Sequence, residues 1–534
     1  MFSKYLTIAL RSLHKNKLYT TLNVAGLGIG IAAGLLIFRI VQYELSFNKN
    51  FAHYDRIVRV VTTERNPAEG ESRSVCIPVP AMDVMENTIG QFEAMSRIRE
   101  MWPNVTVADM ANPGGVPLKK IAMTPPEIGF FAEPDFFKIF DFQWLAGDPA
   151  TALNEPGTTV LTQTLAEKCF DRWENALGKT VLLDNLVPVQ VRGVIQDPPK
   201  HCDFPLTLLV SYPTLKAHTD LYFYDNHWGS CSSNNQVFAL LHQAGQWDAA
   251  NAALAKVGEK EYNQRGFNQG KSHHLQALSD LHYNEDYGVS GGHVISKSRL
   301  WVLTSIGILI LVMACFNFIN LATALASLRA KEIGVRKTLG SGRGHLIVQF
   351  MSETALTVLA ALVTGTVLAA AFAPLLKHIS DVPDELPFLG NPLVWGFLAL
   401  LFLAVTLLAG LYPSLILAGF QPIQAMKSDL HTRPSAGVSI RKGLVALQFI
   451  IAHALIVGAI VVVQQLNFIQ SQDLGFSKDL VYTFPFNSDS ATIARQEALK
   501  NRLLAIPAVQ SVSFNNDQPI SGITWSNYFR FGNN

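Results

Sequence analysis

Charge is scarce in this sequence and nearly balanced: Asp, Glu, Lys and Arg make up 16% of 534 residues and leave a formal net charge of +1. A nucleic-acid binder needs a concentrated basic face to release counterions, so nucleic acid is excluded as a partner. Cysteine is rare, five in all, and a chain of this length does not need disulfide staples to hold a core. No G-x-x-x-x-G-K-[ST] occurs. The nearest stretch, GSGRGH at Gly340 to His345, lacks a lysine followed by serine or threonine, so no phosphate-cradling loop of that kind is present. Paired carboxylates and regular metal-ligand spacings are missing too, and no catalytic residue, metal or directly bound cofactor is expected. His273, His274, His282 and His293 crowd together, but at irregular intervals that do not match a metal site. GVSGG at Gly288 to Gly292 fits the G-x-S-x-G pattern of a serine nucleophile, yet it stands just ahead of a long apolar run and reads as a flexible connector.

What the chain has in quantity is uncharged apolar length. Apolar residues reach 49%, and Leu18 to Phe38, Leu300 to Leu328, Thr354 to Leu376, Pro392 to Ala418 and Gly443 to Gln472 contain no Asp, Glu, Lys or Arg. Each run is long enough to cross a bilayer. Five spans are expected, over 18–43, 299–328, 346–376, 392–418 and 443–468. Ahead of the first, residues 1–17 space Tyr5, Leu6, Ala9, Leu10 and Leu13 on one helical face among four cations, the pattern of an amphipathic helix on the inner membrane surface. The lysine and arginine bias of short loops places the N-terminus, 329–345 and 419–442 in the cytoplasm. Gly26, Gly28, Gly30 and Gly34 follow no strand, so they read as close-packing positions of a membrane helix and not as a nucleotide fingerprint. Asn317 and Asn320 lie three apart within the second span, where buried amides hydrogen-bond across helices; contact with a ligand is the other reading.

Between the first two spans, 44–298 has mixed polarity. Short alternating runs at Asp55 to Thr63, Thr158 to Thr162, Thr180 to Leu183 and Val187 to Ile195 read as strands, while Leu165 to Trp173 and Trp247 to Tyr262 read as helices. The expected fold class is therefore a membrane protein, an α-helical transmembrane bundle with a large α+β extracytoplasmic domain and an inserted subdomain near 147–212. Cys76, Cys169, Cys202 and Cys231 fall in that domain and Cys315 in a span. An oxidising compartment allows three connectivities, of which Cys202 with Cys231 is the expected pair, and four free buried thiols are the alternative.

The charged stretch between the second and third spans is short and punctuated by glycine. In RAKEIGVRKTLGSGRGHLIVQFMSE, Arg329 to Glu353, residues Ala330 to Leu339 suit a short helix: Glu332 precedes Arg336 by four, and Gly340 stands where a left-handed terminator would. It is either a solvated turn whose cations fix topology or a helix that a soluble partner pushes. EIGVRKTLGSGRGHLIVQFMSE resembles the signature of the FtsX and MacB superfamily of ABC-transporter permeases. The resemblance implies a coupling helix in which Glu332, Ile333, Gly334, Arg336, Lys337, Leu339 and Gly340 contact a separate cytoplasmic ABC ATPase, with Gln349 and Glu353 opening the next span. TVLTQTLAEKCF, ALGKTV and VQVRGVIQDPP resemble the MacB-like periplasmic core domain, and AGLYPSLILAGFQP resembles the end of the permease module.

Arg441 and Lys442 precede the fifth run as Lys15 and Lys17 precede the first, and DLGFSKDLVYTF parallels FNKNFAHYDRIVRVV. A tandem duplication is expected, with the sequence ending inside a second extracytoplasmic domain (469–534) and three further spans to follow; a five-span protein with a polar tail is the alternative. The resemblance implies a permease in the bacterial cytoplasmic membrane, in contact with lipid. It would pass ATP-driven movement from the ATPase to the extracytoplasmic domains, for export or efflux with a periplasmic adaptor or outer-membrane channel. The competing reading is a regulator or sensor that uses the same coupling to report antibiotic or to control a periplasmic hydrolase.

Overall fold

The computed structural model describes residues 11, 14, 17–66, 70–108, 117–123, 127–222, 224, 226–230, 232–265, 270–290, 292–328, 330–339, 341–380, 382–383, 390–419, 436–473, 481–484 and 493–515. Most of the amphipathic segment 1–17 and about half of 469–534 lie outside them. Two compact units emerge, one of long helices and one built on a sheet.

Helix α1, Lys17–Glu44, opens the helical unit. Its row of small residues is what lets neighbours approach, because in lipid there is no hydrophobic gain between helices and close van der Waals packing must supply the attraction.

The chain then builds a mixed sheet of thirteen strands: β1 (Ile57–Asn66), β2 (Gly70–Ser74), β3 (Phe92–Met101), β4 (Asn104–Val107), β5 (Lys119–Ala122), β6 (Ile128–Ala132), β7 (Trp144–Gly147), β8 (Thr158–Thr162), β9 (Thr180–Leu183), β10 (Val187–Ile195), β11 (Leu206–Ser211), β12 (Asn235–Leu241) and β13 (Lys271–Ala277). Their spatial order is β13-β1-β12-β3-β6-β11-β8-β10-β9-β4-β5, with β2 on β1 and β7 on β10. The pairings β8/β10 and β6/β11 are parallel, and the others are antiparallel. Helices α2 (Val79–Thr88), α3 (Gln163–Phe170) and α4 (Trp247–Gln264) accompany them.

Strand periodicity splits β1 cleanly. Ile57 faces a phenylalanine-rich core with Phe51, Phe136, Phe140, Phe204 and Phe238, whereas Val58 and Val60 face the core under α2 and α4. Each fully buried Phe contributes roughly 1.5–3 kcal/mol relative to exposure. A third core gathers β4, β8, β9 and β10 around Val105, Leu161, Val189 and Val191.

The expected Cys202–Cys231 pairing is corrected at Cys202, which is a free buried thiol, as are Cys169 and Cys315; Cys76 is the disulfide-bonded residue, and Cys231 lies outside the described residues. The physical reason is packing. Cys202 belongs to the phenylalanine core beside Phe204 and serves there as a small apolar side chain, with burial pushing its thiol up to about 12.

The helical unit continues with α5 (Lys297–Leu328), α6 (Ala330–Thr338), α7 (Arg343–Phe372), α8 (Pro392–Gly419) and α9 (Ala436–Ser471). Together with α1, four of these are long and apolar enough to cross a membrane, and the short α6 is not. Helix α1 packs against α5 and α7, α8 against both, and α9 against α5. The contacts are tight where glycines allow it: a Cβ on Gly30 would stand 2.7 Å from Ala314 Cβ, and one on Gly365 would stand 2.8 Å from the Gly28 carbonyl. Phe38 and Phe397 stack at 4.1 Å.

Candidate functional site

The charged elbow is built from its turn outward. Helix α6 ends with the Leu339 amide donating to the Val335 carbonyl at 3.1 Å and Ser341 reaching back to the Arg336 carbonyl at 3.1 Å. Gly342 in extended conformation starts α7. The two helices are pinned by a small apolar cluster of Ile333, Leu346 and Phe350. Arg336 adds a polar pin, its Nη1 donating to Gln349 Oε1 at 3.0 Å, and Gln349 Nε2 donates onward to Glu353 Oε1 at 3.2 Å.

Helical geometry then decides which residues remain available. At about 100° per residue, Val335 and Leu339 stand roughly 200° and 240° around the helix from Ile333, so burying Ile333 turns them outward. Leu339 is 82% exposed and Val335 49%, whereas Ile333 is 2% exposed. Arg336 and Lys337 flank the buried stripe and are half-buried. Burial, and then the charge of Arg343, hold Lys337 below the usual lysine value. The outward face is thus an apolar knob, Val335 with Leu339, beside Thr338 and bordered by cations.

That arrangement divides the residues singled out from sequence. Leu339 and Lys337 lie on or beside the open face. Ile333 and Gly334 are buried, and Ile333 packs with Leu346 and Phe350 of α7. Arg336 is engaged with Gln349. The side chain of Glu332, and Gly340, lie outside the description. Val335 was not singled out, and helical period alone would have found it once Ile333 was known to face inward. Gln349 and Glu353 bond to one another along α7, and Arg336–Gln349 links α6 to α7. Elsewhere in the helical unit Asn320 Nδ2 donates to Gln448 Oε1 of α9 at 3.2 Å. Asn317 comes close to α1, its Nδ2 lying 3.3 Å from where a Cβ on Gly26 would be.

In the sheet domain the four histidines divide: His273 is fully buried between Thr62 and Tyr262 and His274 touches Ser272, whereas His282 pairs with Asp203 and its ring centroid lies 5.5 Å from that of His293.

Comparison with known proteins bears on both units. A family model described as the MacB-like periplasmic core domain matches residues 20–257, and one described as FtsX-like permease C-terminal matches residues 304–422. The chain is 22% identical over 270 residues to YknZ of Bacillus subtilis, an uncharacterised ABC transporter permease, covering 51% of this chain and 61% of that protein. It is 23% identical over 287 residues to the macrolide export ATP-binding/permease protein MacB of Burkholderia thailandensis, covering 54% of this chain and 40% of that protein. A solved structure, the periplasmic region of MacB from Actinobacillus actinomycetemcomitans, is 13% identical with a TM-score of 0.28, covering 41% of this chain and 88% of that one. The chain spans less than two thirds of the length of these curated relatives. With one domain model on the sheet unit, a second on the helices that flank the elbow, and relatives named as permeases, the chain belongs to the MacB/FtsX type of ABC transporter permeases.

Proposed function

We propose that the chain is the transmembrane permease subunit of an ABC system in a bacterial cytoplasmic membrane and that its elbow, α6 with the start of α7, is gripped by a separate cytoplasmic ATPase. The observation that carries this reading is the split of α6 into a buried stripe through Ile333 and an outward knob of Val335 and Leu339 edged by Lys337 and Arg343. A turn that only fixed topology would need its cations but would gain nothing from holding Leu339 in water. An exposed apolar anchor within a charged rim is the pattern of a docking surface. The sequence contains no phosphate-cradling G-x-x-x-x-G-K-[ST], so the nucleotide belongs to the partner. Movement received at α6 passes through the Ile333–Leu346–Phe350 contact and the Arg336–Gln349 bond into α7, and the sheet domain responds. Export is the direction that the names of the MacB relatives carry, and an adaptor or outer-membrane channel would complete that route.

Affinity purification in mild detergent tests the grip. Leu339→Asp, at a position that contributes nothing to the core, is expected to lower the retained ATPase at least tenfold, about 1.4 kcal/mol, while leaving the permease folded. Full retention by Leu339→Asp combined with Lys337→Glu would remove the elbow as the docking site.

A further inference from the structure

Strand β1 carries an arginine into the middle of the sheet. Arg59 is 1% exposed and lies on the face that points to the phenylalanine core, in register with Phe238 of β12 and Gln276 of β13. Its Nη2 and Nε donate to Gln276 Oε1 at 2.7 and 3.1 Å, and its Nη1 donates to Gln236 Oε1 at 3.1 Å. Gln236 Nε2 donates in turn to Glu100 of β3 at 2.9 Å. A polar row, Gln276–Arg59–Gln236–Glu100, thus runs across four adjacent strands.

Both charges of that row reach past the sheet to the same short stretch of chain. Arg59 Nη2 donates to the Gly288 carbonyl at 2.8 Å, and Ser290 Oγ donates to Glu100 Oε1 at 2.6 Å. Between them Val289 packs on the phenylalanine core, and the Gly292 amide closes a turn onto the Val289 carbonyl at 3.0 Å. Gly288 sits at φ +65°, in the left-handed region where a side chain would be strained, and this brings its carbonyl to the guanidinium. The stretch that reads in sequence as a slack connector is tied down at three consecutive residues, a few positions before α5 begins.

A buried guanidinium is retained only where its desolvation is offset by well-placed acceptors. The sheet alone does not supply enough: Gln276 Nε2 is already without an acceptor, and withdrawal of the strap would take one partner from Arg59 and one from Glu100. With the strap in place Arg59 and Glu100 each hold a partner that the sheet does not supply.

We propose that Arg59 and Glu100 are the two jaws of a buried latch that fastens the Gly288–Ser290 strap to β1 and β3, so that the chain running on into α5 is anchored to the middle of the sheet. The latch makes the strap a stiff link. A pull along the chain from α5 passes Gly292, whose amide is bonded to the Val289 carbonyl, and then meets charged hydrogen bonds at the sheet. This deepens the proposed function and rests on the reading that α5 passes movement to the sheet domain.

Hydrogen–deuterium exchange of the full chain in detergent, with neither ATPase nor nucleotide, tests the latch. Peptides spanning 286–294 are expected to be protected in the unaltered chain. Ser290→Ala, which deletes one hydroxyl, is expected to raise their opening roughly 10- to 100-fold, the equivalent of one charge-assisted hydrogen bond, with β8 and β10 unchanged. Glu100→Gln keeps an acceptor oxygen and is expected to raise it less. Exchange of 286–294 at the rate of unprotected backbone, or no response to Ser290→Ala, overturns the proposal. Because no partner enters the measurement, such a failure leaves the elbow reading standing, and failure of the elbow experiment leaves the latch untouched.

Discussion

His273 illustrates how one buried ring ties stability to pH. Its Nδ1 lies 3.0 Å from Thr62 Oγ1, its Nε2 lies 3.1 Å from the Tyr262 hydroxyl, and Thr62 Oγ1 donates its only proton to the Cys76 carbonyl at 2.6 Å. Thr62 must therefore accept from Nδ1–H, which leaves Nε2 as the acceptor for Tyr262. The neutral ring is satisfied on both sides, and burial pushes its pKa down to about 3. An unfolded chain takes up this proton below about pH 6.5, while the folded chain does not until about pH 3, so folding is weakened as pH falls. We expect the sheet domain to lose about 1.4 kcal/mol per pH unit across that window. His273→Gln is expected to flatten the slope in thermal melts of the full chain followed from pH 7 to pH 4. Equal slopes in both chains would show that other groups dominate. None of this was legible in the sequence, where His273 is one of several crowded histidines. Arg59 was equally hidden. An arginine alternating with valines reads as the solvent side of a strand, and only the covering of both faces of β1 shows otherwise.

Single elements were legible in proportion to how local their cause is. Apolar length is a property of one segment, so five membrane-long helices could be read directly. The strands at Thr158–Thr162, Thr180–Leu183 and Val187–Ile195 carry clean alternation and stand as the sequence indicates. Which face of α6 is buried depends on Leu346 and Phe350 of the next helix, and the sequence motif by itself treated buried and exposed residues alike. The glycines of α1 belong to the legible group, since small residues at that density point to close packing. That packing gives a prediction at the scale of a helix pair. A side chain at Gly365 meets the Gly28 carbonyl at 2.8 Å and Ile31 Cγ2 at 2.8 Å, backbone and branched carbon that cannot swing aside. Gly365→Val is expected to push α1 from α7 and to cost about 1–3 kcal/mol. Thermal unfolding in detergent should show a lowered midpoint. Gly458→Val on α9, where nothing lies within 4 Å, should leave the midpoint unchanged, and equal shifts in both variants would mean that the loss is general and not a clash at the α1–α7 contact.

For the whole molecule, connectivity ties the location of the elbow to that of the sheet domain. Helix α1 has 28 residues and α5 has 32, about 42 and 48 Å of helix against a hydrocarbon core of about 30 Å. If α1 crosses once on the way into the sheet domain and α5 crosses once on the way out, the domain and the elbow must lie on opposite sides of the membrane. By the loop-charge bias the cations around the elbow are expected to hold it in the cytoplasm, which would put the sheet domain on the other side, where an oxidising environment would suit the disulfide at Cys76. Single cysteines report this directly, because the native thiols Cys169, Cys202 and Cys315 are buried. Leu339→Cys, at an 82% exposed site, is expected to react with a membrane-impermeant maleimide in inverted vesicles and not in intact spheroplasts. Leu118→Cys, at a 64% exposed site in the sheet domain, is expected to show the reverse. Labelling of both from the same side would mean that α1 or α5 does not cross, and an ATPase at the elbow would then share a compartment with the sheet domain it is proposed to move from across the bilayer.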